Sequence, residues 1–271
     1  MNDEIVFRSI FDRLSKHGQK VAPRNQLVIE VENFNYELPP YVRFQNFSSR
    51  KLSLPYCKRE FLWYLKGDRF DTSICEHAKI WRDVVNKDGS INSNYGQYVF
   101  GEISQFDKCV ESLISDKDTR RASISILSRE HLLSDTNDVP CTYSINFRIR
   151  NDVLNMSVHM RSQDAVFGMG NDAPAFSFIH EMMFNTMKAA YPNLQYGNYF
   201  HIADSFHVYE RHFELLQKIL DGDKFEPIEC PRISGHEEVD FLRRPERYGR
   251  DKNYIPVPQE FKFTKWLTET E

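Results

Sequence analysis

CTYSINFRIRNDVLNMSVHMR, residues 141–161, alternates twice around a single turn. Tyr143, Ile145, Phe147 and Ile149 take turns with polar residues, and so do Leu154, Met156, Val158 and Met160. Asn151-Asp152 stands between the two runs and suits a two-residue hairpin turn. If Arg150 pairs with Val153, Cys141 falls opposite Ser162 and Arg161 is its neighbour. The pattern therefore predicts a thiol beside a guanidinium at the open end of a half-buried hairpin, provided no bulge shifts the register.

Working outward, QLVIEVE (Gln26–Glu32), Ala122–Leu127 and Tyr196–Ala203 read as strands. YCKREFLWYLK (Tyr56–Lys66) reads as a helix stopped by Gly67. Helical spacing of apolar residues recurs over Ala173–Tyr191 and Phe206–Leu220, and the first eighteen residues form an amphipathic helical pattern. Strands and helices are interspersed without a βαβ rhythm, which favours an α+β fold. No repeat or Pro/Gly-rich linker divides the chain, so residues 1–271 are expected to form one domain.

Bulk properties exclude some functions. A net charge of −4 supplies no field for long nucleic acid, though a local arginine cluster could still hold a small anion. No apolar run resembles a signal peptide or a membrane span. The five cysteines are an odd number with no CxxC pair, which argues against a metal site or a disulfide framework. The expected setting is a cytoplasm, bacterial, or that of the host if a phage encodes the chain.

Several residues invite chemistry. A cation beside Cys141 would stabilise its thiolate; otherwise Cys141 is a small core residue. Arg120-Arg121 could grip a phosphate bidentately, aided by Arg161 and Ser162, or could be solvated surface charge. Asn171-Asp172 precedes an apolar helical run and reads as a cap, unless Asp172 meets the edge of a base. His207 and Tyr209 follow Asp204-Ser205, read as a helix entrance, and could share a sugar hydroxyl. Glu60 lies among Phe61, Leu62 and Trp63, where partial burial would suit it to proton traffic.

Glu60-Phe61-Leu62-Trp63-Tyr64-Leu65-Lys66-Gly67, Ile80-Trp81, Tyr95-Gly96, Arg120-Arg121, Pro140-Cys141, Arg161-Ser162-Gln163-Asp164 and His207-Val208-Tyr209 follow one another in an order that resembles the thymidylate synthase superfamily, from about Pro23 to Phe213. Within it the chain is most similar to the bacteriophage deoxycytidylate hydroxymethylases, through Lys79-Ile80-Trp81, Ile91–Gly96, Met160–Asp164, Val166-Phe167-Gly168, Asn171-Asp172 and His207–Phe213. Asp172 decides this branch: uracil-specific relatives carry Asn there, cytosine-specific ones Asp. Thr142 replaces the His that usually follows the nucleophile, Val84 replaces a second Trp, and the tail from about Ser234 departs from the family's ending.

The resemblance implies a large twisted mixed sheet with flanking helices, packed back to back in a homodimer. It implies Cys141 as nucleophile, with Glu60, Tyr95, Asp172 and Arg161 completing the catalytic set. Arg24, Arg161 and Ser162 would bind phosphate, joined by Arg120 and Arg121 from the partner. Asp172, Asp164, His207 and Tyr209 would bind base and sugar. Trp81, Asp164 and Gly168 would meet 5,10-methylenetetrahydrofolate, the cosubstrate, with no metal. The implied reaction is hydroxymethylation of deoxycytidylate at C5. Alternatives are the same reaction on the ribonucleotide and C5 methylation of a pyrimidine monophosphate. A cysteine hydrolase using Cys141 with His201 or His207 and Asp204, and a non-catalytic nucleotide-binding or assembly protein, are rivals from other classes.

Overall fold

The computed structural model describes residues 3–136, 138–244 and 255–269. In chain order it runs through α1 (Asp3–His17), β1 (Gln19–Val21), β2 (Val28–Leu38), α2 (Leu54–Lys66), α3 (Ile80–Val84) and α4 (Gly96–Val99). There follow α5 (Gln105–Ser115), β3 (Ser123–Ser125), α6 (Arg129–Leu133), β4 (Thr142–Arg150), β5 (Val153–Met160) and β6 (Gln163–Asp164). The remainder is α7 (Phe167–Ala190), β7 (Gln195–Tyr209), α8 (Phe213–Leu220), α9 (His236–Leu242) and α10 (Lys262–Thr268).

The strands form one mixed sheet in the order β1-β2-β7-β5-β4-β3, with β6 against β7. Only β5 and β6 run parallel to β7; the other pairings are antiparallel. Ile145, Phe147, Ile149, Leu154, Met156 and Val158 point inward and are buried. The face they make packs on α7, itself apolar almost all round because it runs through the core. The opposite face carries Ser144, Asn146, Ser157 and His159, together with the exposed Phe200 and Ile202. The α+β class holds.

The hairpin forms with Arg150 opposite Val153, and Asn151 and Asp152 both take positive φ, as a two-residue turn of this hand requires. A bulge between Thr142 and Ser144 then shifts the register by one. Gly67 ends α2 with φ 63°, as expected. Three readings are corrected. The helical spacing from Phe206 was misleading: Phe206–Tyr209 continues β7, where Tyr209 pairs with Val28, and α8 starts only at Phe213. Asp204-Ser205 lies inside that strand and opens no helix. The long helix begins at Phe167, so Asn171 and Asp172 are not its cap.

The tail folds back onto the domain. α9 packs on α7 and α10 on α2. Between them the buried Glu238 accepts from the backbone and hydroxyl of Ser234 and of Thr264. Part of the divergent tail, 245–254, lies outside the described residues.

Candidate active site

Cys141 stands half-buried just ahead of β4. Because of the bulge, its partner across the hairpin is Arg161 itself rather than Ser162: Arg161 N donates to Cys141 O at 2.8 Å. The guanidinium turns back on the strand, Nε donating to Pro140 O at 3.1 Å and Nη2 to Val139 O at 2.7 Å. The expected juxtaposition exists, but its expected effect is corrected. Burial pushes the Cys141 thiol above its ordinary pKa; Arg161 opposes this, Asp172 and Asp138 add to it, and Arg24 opposes it weakly. Desolvation of a thiolate outweighs a guanidinium already engaged by two carbonyls, so the free chain holds a thiol.

Two further carboxyl groups are linked electrostatically: Asp172, which acts on Cys141, also acts on Glu60. Glu60 is buried on α2, and burial together with the charge of Asp172 pushes it up to about 8. Tyr56, one turn earlier on the same helix, donates its hydroxyl to Glu60 Oε1 at 2.9 Å, and the Trp81 indole donates to that hydroxyl at 2.8 Å. Asp172, half-buried in the second turn of α7, is pushed up to about 7 by burial; Gln163 opposes this and Asp164 adds to it. Gln163 Nε2 donates to Asp172 Oδ2 at 3.0 Å, while Tyr36 donates to Gln163 Oε1 at 3.0 Å. A phenol hydrogen on Oε1 fixes the amide's orientation, so an N–H must face the carboxylate.

Asp164 takes the role expected of Asp172 at the helix start: its carboxylate accepts from Val166 N at 3.1 Å and Phe167 N at 3.0 Å. That leaves Asp172 out of the helix start, its Oδ2 held by Gln163. Gly168 sits between them. A Cβ there would meet Asp164 Cβ and Gln163 Cγ at 3.5 Å and Asp172 Oδ2 at 3.7 Å, ordinary van der Waals contacts with both acids.

Tyr95 closes the site from below, stacked between Tyr64 and Phe176 at 5.7 and 6.1 Å. Its hydroxyl is held well above its ordinary pKa by burial, then by Cys141 and Asp172, so it remains a neutral donor beside Cys141. Gly96 makes this possible, since a Cβ there would lie 1.9 Å from Tyr64 O.

On the other flank, β6 pairing puts Asp164 opposite His207. Burial holds His207 below its ordinary pKa, with Asp164 opposing, and its ring meets Tyr209 edge-on at 5.0 Å. Arg24, in a left-handed conformation at φ 52°, places its charge where both Cys141 and His207 feel it. Ser162 follows Arg161 at the same edge. Arg120 and Arg121 are not part of this cleft: both are exposed ahead of β3, where Arg148 feels the charge of Arg120.

Sequence reasoning missed Tyr56, Gln163 as an orienting group, Tyr36 and Asp138. The i,i+4 spacing of Tyr56 and Glu60 was the available signal for the first. Tyr36 lies too far from Gln163 in sequence to give one.

A thymidylate synthase family model matches residues 6–241, most of the chain. The chain belongs to the thymidylate synthase family. Among its relatives in that family, the deoxycytidylate 5-hydroxymethyltransferase of Enterobacteria phage T6 is 34% identical over 186 residues, 65% of this chain and 75% of the relative. That of phage T4 matches to the same extent. The deoxyuridylate hydroxymethyltransferase of Bacillus phage SP01 is 26% identical over 255 residues, 86% of this chain and 65% of that protein.

The hydrolase alternative finds no support in the family's cleft. His201 is bonded to Tyr199 and stacked on Tyr36, His207 is bonded to Ser205, and Asp204 is bonded to His159. Among the described residues no Cys–His–Asp chain forms. Among them, too, no group of three or more His, Cys, Asp or Glu could hold a metal, and no helix is long and apolar enough to cross a membrane.

Proposed function

We propose that this chain hydroxymethylates C5 of deoxycytidylate, with 5,10-methylenetetrahydrofolate supplying the one-carbon unit. The observation that carries this reading is a carboxylate, not an amide, at position 172, held by Gln163 and near enough to Cys141 and Glu60 for its charge to act on both. An ionised carboxylate accepts from the cytosine amino group; against uracil it would face the lone pairs of O4.

In this reading the Cys141 sulfur adds to C6 of the base, which makes C5 an enamine carbon able to attack the incoming carbon. Asp172 accepts from the exocyclic amine and from N3–H as positive charge grows there. Pairing with that charge also relieves Cys141 of a carboxylate that raises its pKa, so ionisation of the thiol accompanies binding. Glu60, with a pKa of about 8, handles protons near neutrality, and Tyr95 holds the water or base in place. Loss of the C5 proton and departure of tetrahydrofolate leave an exocyclic methylene at C5; water adds to it, and expulsion of the Cys141 thiolate from C6 restores the ring double bond of the hydroxymethyl product. Arg24, Arg161 and Ser162 serve the phosphate, His207 and Tyr209 the sugar, and Trp81, Asp164 and Gly168 the pterin. Arg120 and Arg121 reach a partner's phosphate in a homodimer.

The test is an assay of deoxycytidylate, cytidylate and deoxyuridylate with the folate, read for hydroxymethyl product and for dihydrofolate. Deoxycytidylate should be preferred without dihydrofolate forming; steady dihydrofolate would reject hydration, and faster turnover of cytidylate would move the reading to the ribonucleotide. Asp172→Asn should lower the preference for cytosine over uracil roughly ten- to a hundredfold, the worth of about 1–3 kcal/mol of base discrimination.

A further inference from the structure

Three groups in the site form a chain whose hydrogens can be assigned without seeing them. An indole N–H only donates, so the Tyr56 oxygen, 2.8 Å from Trp81 Nε1, must accept. The single phenolic hydrogen of Tyr56 is then free to go 2.9 Å to Glu60 Oε1, which must accept in turn. Tyr56 keeps that hydrogen at any working pH, because burial and then the charge of Glu60 hold its phenol far above the ordinary value. It therefore acts as an orienter and never as a base.

We propose that Tyr56 is the positioning residue of the proton relay: by tying Oε1 of Glu60 to the Trp81 indole, it leaves Oε2 as the single atom through which Glu60 takes up or gives a proton, and it couples that carboxyl to the ring that meets the folate. The last clause rests on the function proposed above; the hold of Tyr56 on Glu60 does not.

The groups facing Glu60 make this bond count. Asp172 on α7 disfavours its ionised form, and Tyr64 and Cys57 on its own helix are neutral groups whose pKa values its charge raises. Against burial and Asp172, the Tyr56 bond is what favours the carboxylate. Tyr95, stacked on Tyr64, adds only a neutral phenol from the α4 side.

The experiment compares wild type with Tyr56→Phe and Trp81→Phe, folding being checked by near-ultraviolet circular dichroism. Glu60 is titrated by carbon-13 NMR of glutamate side-chain carboxyls, its signal assigned with Glu60→Gln. In Tyr56→Phe the titration should rise from about 8 by roughly half to one pH unit, since a hydrogen bond that favours the charged form is lost. The pH–rate limb set by Glu60 should move up equally, with kcat falling about tenfold and KM for the nucleotide little changed. Trp81→Phe should move the titration the same way by less, and it carries the test if Tyr56→Phe does not fold. An unmoved titration in a folded variant overturns the proposal, as does a fall in kcat with an unchanged pH profile. Wild type inactive on every pyrimidine nucleotide would instead overturn the parent reading and, with it, the coupling to folate, while a shifted titration would still establish the Tyr56–Glu60 hold.

Discussion

At the scale of single residues, the chemistry proposed above depends on two acids kept at different readiness. Asp172 has its pKa raised to about 7, so it is ionised above that pH and neutral below it. The ionised form accepts from a cytosine amino group, whereas the neutral form can donate to O4 of uracil. The ratio of kcat/KM for deoxycytidylate over deoxyuridylate cancels whatever Cys141 and Glu60 contribute to both substrates. That ratio should climb as pH rises through about 7, by roughly tenfold or more between about pH 6 and 8.5. Competition assays across that range check it, and a flat ratio would count against Asp172 as the base reader. As candidates, Cys141, Glu60 and Asp172 were legible in the sequence because they sit in motifs with their own local context. Their protonation was not: Arg161 promised a thiolate, yet the carbonyls of Val139 and Pro140 take up two sides of its guanidinium, and burial decides the outcome.

Elements position these residues by close approach. Gly96 lets α4 press against the last turns of α2, and that contact fixes Tyr95 against Tyr64. Gly96→Ala would drive a methyl group into the Tyr64 backbone, 1.9 Å from O and 2.4 Å from Cα, where no side chain can swing aside. A loss of about 3 kcal/mol, at the upper end for overpacking, is expected in urea unfolding, with activity falling in the fraction that remains folded. The pattern of residues 141–161 gave the hairpin and its turn correctly. It could not reveal the bulge at Tyr143, since one extra residue costs the alternation nothing in a stretch that already has polar neighbours. Phe206–Leu220 failed for a related reason. Phe206, Tyr209, Phe213, Leu216 and Leu220 keep helical spacing, while Phe206 and Val208 also keep strand spacing; pairing with β2, a long-range contact, chose the strand for the first four residues.

For the whole molecule, the sheet has a helix-covered face and an open one. Phe200 and Ile202 lie exposed on the open face of β7, and Arg120 and Arg121 lie outside the chain's own cleft. Both facts suit the two-fold assembly proposed above, in which each cleft is completed by arginines from the other copy. Cys141→Ala and the double variant Arg120→Ala/Arg121→Ala should each be nearly inactive alone. Mixed and reassorted, they should recover roughly a quarter of wild-type activity, as random exchange between two-fold dimers requires. No recovery in a mixture shown by sedimentation to be dimeric would reject shared sites. The α+β class was legible from the interspersed elements. The folded-back tail with Glu238 at its centre was not, because its stabilising partners come from Ser234 and Thr264, on either side of it. One consequence follows from where Asp172 is mounted. It rides on the second turn of a 24-residue rod threaded through the interior, not on a pliable loop. Swapping an oxygen for an NH2 at that spot leaves the scaffold's shape alone, so if Asp172 reads the base as proposed, a lineage built on this frame can change its clientele among pyrimidines by a single isosteric exchange.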